Sequence, residues 1–158
     1  EGRFVIEQAP LPDGNGAARG VVAEGPVGFR WAAMWRLFRY EVRCWRDGVI
    51  PDVAEAVASP RRLTNDLDRA RRLLELVHHL PTPVWGRDEL RTGEMWNSNS
   101  ITAWLVTSSG IDLTSIEPPA GGRAPGWAAG LTVAQRNPRD VRESRRSERT
   151  HHRRGVSR

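Results

Sequence analysis

Lysine is missing altogether: all 24 basic residues of this 158-residue chain are arginines. A functional demand for arginine acts at particular sites, so its use everywhere reads as a coding bias and says nothing about partners. Cysteine is nearly missing too. A lone Cys44 excludes an internal disulfide framework and any multi-thiolate zinc site. No apolar run approaches the ~20 residues that a membrane-crossing helix needs. No secretory leader is visible at Glu1, and a chain that starts there without methionine reads as a fragment. The working expectation is an N-terminally incomplete, cytoplasmic domain.

Basic charge is also scarce where it would matter most for a nucleic-acid domain. Residues 1–135 hold 15 arginines against 16 acidic residues, net −1, whereas residues 136–158 hold 9 against 3, net +6. The overall charge of +5 therefore belongs to the C-terminal tail. That tail has only Val141 and Val156 as large apolar residues, too little to offset its ordering entropy, and is expected to be disordered. Its arginines can attract nucleic acid or an anionic surface by charge alone. The sequence names no partner.

What is present is the composition of one globular domain, with 39% hydrophobic and 27% charged residues, a length that suits a single core. Arg3-Phe4-Val5-Ile6-Glu7 reads as a strand, closed by the Pro10–Gly20 loop, and Gly20-Val21-Val22 as a brief second one. Residues 36–46 fit two patterns. Phe38, Tyr40, Val42 and Cys44 alternate with polar neighbours as in a strand, yet Arg36, Arg39, Arg43 and Arg46 fall at helical spacing. Aromatic and β-branched content with the Asp47-Gly48 turn favours the strand, and Trp31–Trp35 then becomes a short helix or turn. Residues 66–79 read as a helix with Leu67, Ala70, Leu74 and Val77 on one stripe, stopped by Pro81. A second helix spans 97–109, ended by Gly110, and a last strand is expected at 130–134. Strands, then helices, then a strand give α+β: a small, mainly antiparallel sheet with two packed helices over residues 1–135.

The densest polar cluster is Trp96-Asn97-Ser98-Asn99-Ser100 at the start of the second helix. Backbone N–H groups at such a position favour anions and can activate a nucleophile or hold an oxyanion. The simpler reading is an N-cap, for which Asn and Ser are the preferred residues. Seven tryptophans are enough to line a groove for peptide, glycan or lipid, although in so short a chain they also suit the core. Trp45, on the arginine face of its strand, and Trp127, beside Gly126, are the two that burial explains least. In the loop 118–126 only Arg123 offers an anion contact, and the glycines lack a phosphate-loop pattern. No cofactor or metal is expected.

The order strand (Phe4-Val5-Ile6-Glu7), later strand, helix, and helix opening with Trp96-Asn97-Ser98-Asn99-Ser100 resembles the circularly permuted branch of the papain-like superfamily. That branch includes bacterial cell-wall peptidase relatives and acyltransferases of the lecithin–retinol type. The resemblance implies a papain-like fold with a catalytic His on an early strand, a polar residue on the next, and a Cys at the start of a late helix. Ser98 falls at the Cys position, Glu7 near the polar position, and the His would lie upstream of Glu1. Asn97, Asn99 and Trp96 flank the nucleophile position. The resemblance thus implies a degenerate or incomplete hydrolase or acyltransferase, because a serine cannot be made anionic as a thiol can and needs a general base. His78 and His79 are the only histidines of residues 1–135, at the end of the other helix. The chain is also similar to uncharacterised actinobacterial proteins, a likeness that implies no chemistry. Beside this stand two other expectations: a Trp-rich binding module, and nucleic-acid binding through Arg36, Arg39, Arg43, Arg46 and the tail.

Overall fold

The computed structural model describes residues 2–10, 20–35, 38–50, 53–54, 60–118 and 120–136. The expectation of a disordered tail lies outside these residues from 137 onward. Among them, β1 (Phe4–Pro10), β2 (Val21–Pro26) and β3 (Arg39–Arg46) form one antiparallel sheet in the order β1-β3-β2. The helices are α1 (Leu67–Leu76), continued by a 3₁₀ turn at Val77–His79, α2 (Ser98–Ser108) and α3 (Trp127–Gln135). A further 3₁₀ segment, Arg30–Met34, joins β2 to β3. The class is α+β.

The two-way reading of residues 36–46 resolves to a strand, and β3 is the middle one. Its alternation decides this. Tyr40 and Val42 are buried, and Cys44 packs half-buried beside them. On the opposite face Glu41 and Arg43 form an ion pair at 2.8 Å. Register sets Ile6 opposite Cys44, Glu7 opposite Arg43 and Gln8 opposite Val42, so Ile6 and Gln8 join the core face while Glu7 stands on the other.

One expected element changes type. Residues 130–134 belong to a helix, α3, and not to a strand. Leu131, Thr132 and Val133 look strand-like alone, but the segment opens with Trp127-Ala128-Ala129 and packs along α2, and tertiary packing overrides weak local propensity. Gly130 permits that approach: a Cβ there would run into the Ser100 carbonyl oxygen and stand 2.8 Å from Ala103 Cβ. The sheet is therefore completed by β2, which runs to Pro26, and the described residues form three α-helices instead of two. α1 departs in a smaller way. Its expected stripe is buried only at its C-terminal end, at Val77, while Leu67 and Ala70 are exposed. Its N-cap is Asp66, whose carboxylate accepts from the N–H groups of Asp68 (2.9 Å) and Arg69 (3.2 Å); these bonds hold it below the ordinary carboxylate range.

The core lies between the inner sheet face and α2. Tyr40, Val42, Val77, Leu80, Trp96, Ile101, Leu105, Ala129 and Val133 form it. An extended segment around Trp85 threads between the end of β2 and Trp96 by backbone bonds, Trp85 N–H to Pro26 (2.8 Å) and Gly86 N–H to Trp96 (2.8 Å). Tyr40 and Trp85 rings meet at 5.0 Å, and the Tyr40 hydroxyl donates to the Pro83 carbonyl at 3.1 Å.

Candidate functional site

Two regions carry unusual side-chain chemistry: the start of α2 and the connection between β2 and β3. At the first, Asn97 caps α2, its Oδ1 accepting from Asn99 N–H (3.0 Å) and Ser100 N–H (3.3 Å). Ser100 Oγ accepts from Asn97 N–H (3.1 Å), completing a capping box. The same side chains reach into the loop before α3. Asn97 and Asn99 both donate to the Pro125 carbonyl (2.8 and 3.0 Å), and Ser100 Oγ donates to the Gly126 carbonyl (2.7 Å). Gly126 sits at φ 85°, a conformation that favours glycine, and a Cβ there would lie 2.5 Å from Asn97 Oδ1 and 2.6 Å from Ser100 Oγ. Three of the four polar residues thus fasten α2 to α3.

Ser98 is the exception. It is exposed on the first turn of α2, and its carbonyl accepts from Gln8 Nε2 of β1 at 3.4 Å. The structure brings β1 to Ser98 through Gln8, while Glu7, one residue away, lies on the opposite sheet face, across from Arg43. Trp96 is a core residue, 2% exposed. Trp45 is half-buried and its indole covers Gly48. Trp127 is half-buried at the start of α3, and Arg123 is exposed in the preceding loop. Cys44 has its thiol pKa raised by burial, which keeps it protonated and unreactive near neutral pH. Among the described residues, no group of three or more His, Cys, Asp or Glu is placed to hold a metal ion.

A substitution pair separates capping from chemistry here. Ser100→Ala is expected to cost about 1–2 kcal/mol, because it removes the acceptor of Asn97 N–H and the tether to Gly126. Ser98→Ala should stay within about 0.5 kcal/mol, as exposed positions do. Urea denaturation of both variants checks this. Ester and amide probes on the unmodified chain complete the test: no turnover is expected, and turnover lost in Ser98→Ala would make Ser98 a nucleophile.

The second region escaped the sequence reading. Phe29 (53% exposed), Trp31 (64%), Met34 (77%), Trp35 (58%) and Phe38 (38%) crowd one surface. Their rings touch in series: Phe29 to Trp31 at 6.1 Å, Trp31 to Trp35 at 6.2 Å, Trp35 to Phe38 at 6.1 Å. The Arg87 guanidinium lies over Phe29, 4.7 Å from its centroid. Arg30 pairs with Glu89 at 2.5 Å and Arg39 with Glu24 at 3.2 Å at the rim. A signal was present in the sequence. Five large apolar residues within ten positions, around a segment too short to form two faces, exceed what one turn can bury.

The arginines expected to meet nucleic acid along β3 are largely engaged within the body. Arg39 and Arg43 pair with Glu24 and Glu41, and Arg46 lies 3.8 Å from Asp47. Arg36 lies outside the described residues.

No family model, curated protein or solved structure matches this chain. Among the described residues, no helix is long and apolar enough to cross a membrane.

Proposed function

We propose that this chain works as a binding domain that engages an apolar partner through the aromatic face of Phe29, Trp31, Trp35 and Phe38. The observation that carries the proposal is the exposure of four aromatic rings in mutual contact, 38–64% accessible. A core of this size has no need to leave them out, and contiguous exposed aromatics mark interaction surfaces. The partner is a peptide, a glycan or a lipid. The lone, free Cys44 fits a reducing, cytoplasmic setting.

A second reading, a degenerate or incomplete hydrolase or acyltransferase of the papain-like type, is supported by the approach of β1 to Ser98 through Gln8. In that reading Ser98 is a remnant of the reaction site, and Asn97 and Asn99 serve as its frame. The binding reading comes first because, among the described residues, no histidine or carboxylate hydrogen-bonds to Ser98, and a serine nucleophile needs a base.

The test runs the full chain over phospholipid vesicles, insoluble polysaccharide and an apolar-peptide resin. Retention on one class is expected, and a double variant Trp31→Ala/Trp35→Ala should lose it about tenfold or more. Both residues are exposed, so the variant keeps its fold. Retention on none of the three, or equal retention of the variant, overturns the proposal.

A further inference from the structure

We infer that the occupant of the aromatic face is the surface of an anionic lipid bilayer, on which the domain lies peripherally. The inference rests on the binding reading above and narrows it. Three observations favour lipid over the other two partners.

The first is the mutual orientation of the rings. Successive planes are inclined by 24°, 78° and 44°, so the four rings do not present one flat row on which consecutive sugars can stack. A fluid hydrocarbon boundary asks for no such registry, and Trp with Phe is the composition that settles there. The second is exposure. Met34, Trp31, Trp35 and Phe29 are each more than half exposed on and beside a five-residue 3₁₀ segment. Apolar side chains this exposed on so short a segment are suited to insertion among headgroups.

The third is charge. Arg87 lies over Phe29, while Arg30 and Arg39 beside the patch are paired with Glu89 and Glu24. The last described residue before the basic tail is tied to the segment that holds Arg87. Arg136, where α3 ends, donates to the carbonyls of Leu90 (2.6 Å) and Arg91 (3.1 Å). That same short segment supplies Arg87 over Phe29 and Glu89 to Arg30. Residues 137–158 carry 8 further arginines against 3 acidic residues. Arg136, which precedes them, thus bonds to carbonyls three and four residues along the chain from Arg87. Stable attachment to a membrane generally takes two signals, an apolar insertion and a polybasic segment, and the sequence of this chain carries both.

The experiment is co-sedimentation of the full chain with vesicles of phosphatidylcholine alone and of phosphatidylcholine containing about a third phosphatidylglycerol, with tryptophan emission recorded in parallel. Binding at least about tenfold stronger to the anionic vesicles is expected, weakened by salt, with emission shifted to the blue. Trp31→Ala/Trp35→Ala should lose about tenfold of that affinity and most of the emission shift while melting like the parent. Equal binding of the variant would show that the arginines act alone and overturns the inference. Absence of vesicle binding overturns it as well. If polysaccharide or the apolar-peptide resin then retains the chain in a Trp31- and Trp35-dependent way, the binding reading stands and only the lipid assignment falls.

Discussion

Gly130→Ala is expected to destabilise the domain by roughly 2 kcal/mol, a drop in melting temperature on the order of 5–10 °C. The sign is the informative part. In an exposed helix interior the same change stabilises by about 1 kcal/mol, because alanine loses less backbone entropy than glycine. At position 130 the added methyl would meet the Ser100 carbonyl oxygen and come within 2.8 Å of Ala103 Cβ, so α2 and α3 must move apart. Their separation would stretch the Ser100–Gly126 and Asn97–Pro125 bonds at the same time. A larger residue, Gly130→Val, should cost more still. A thermal melt in which Gly130→Ala is more stable than the parent would show that α3 does not lie on α2 as described.

Stability should also fall at alkaline pH, by about 1.4 kcal/mol per pH unit once the unfolded tyrosine value near pH 10 is passed. Tyr40 is the single tyrosine, and burial pushes its pKa well above the ordinary value. The Trp96 indole N–H beside its hydroxyl, which lacks full hydrogen-bond geometry, acts in the opposite direction, and the Glu89 charge adds to the rise. Folded chains therefore keep the phenolic proton at a pH where unfolded chains have lost it. The native state then binds more protons, so stability is fully present below about pH 10 and is lost as pH climbs toward the folded value. The absence of lysine makes this readable, since no ammonium side chain titrates in the window. Cys44, also raised by burial, contributes with the same sign from lower pH. Urea midpoints at about pH 9, 10 and 11, for the parent and for Tyr40→Phe, measure the effect. The variant should lack the Tyr40 part of the slope, and an unchanged slope would refute the assignment.

The first three strands, α1 and α2 were legible in the chain because each carries a local signal: period-2 alternation through Tyr40, Val42 and Cys44, and a capped apolar stripe ending at Val77 or Gly110. The cap reading of Asn97 and Ser100 was legible for the same reason. Beyond the chain's own pattern lay everything that depends on what a segment packs against.

From the sequence alone came the class, the placement of charge in the tail, and the exclusion of disulfide and multi-thiolate chemistry. These follow from composition and short-range periodicity, which need no partner to be defined. Tertiary structure decided that residues 127–135 coil instead of extending, because Gly130 lets them lie on α2. It decided that Gln8 and not Glu7 approaches Ser98, since side chains alternate across a sheet whose register the sequence does not state. And it decided which tryptophans face solvent: Trp96 is enclosed by the core while Trp31 and Trp35 are left outside. All three have the same hydrophobicity, so only the distance from each to the nearest packed element could separate them.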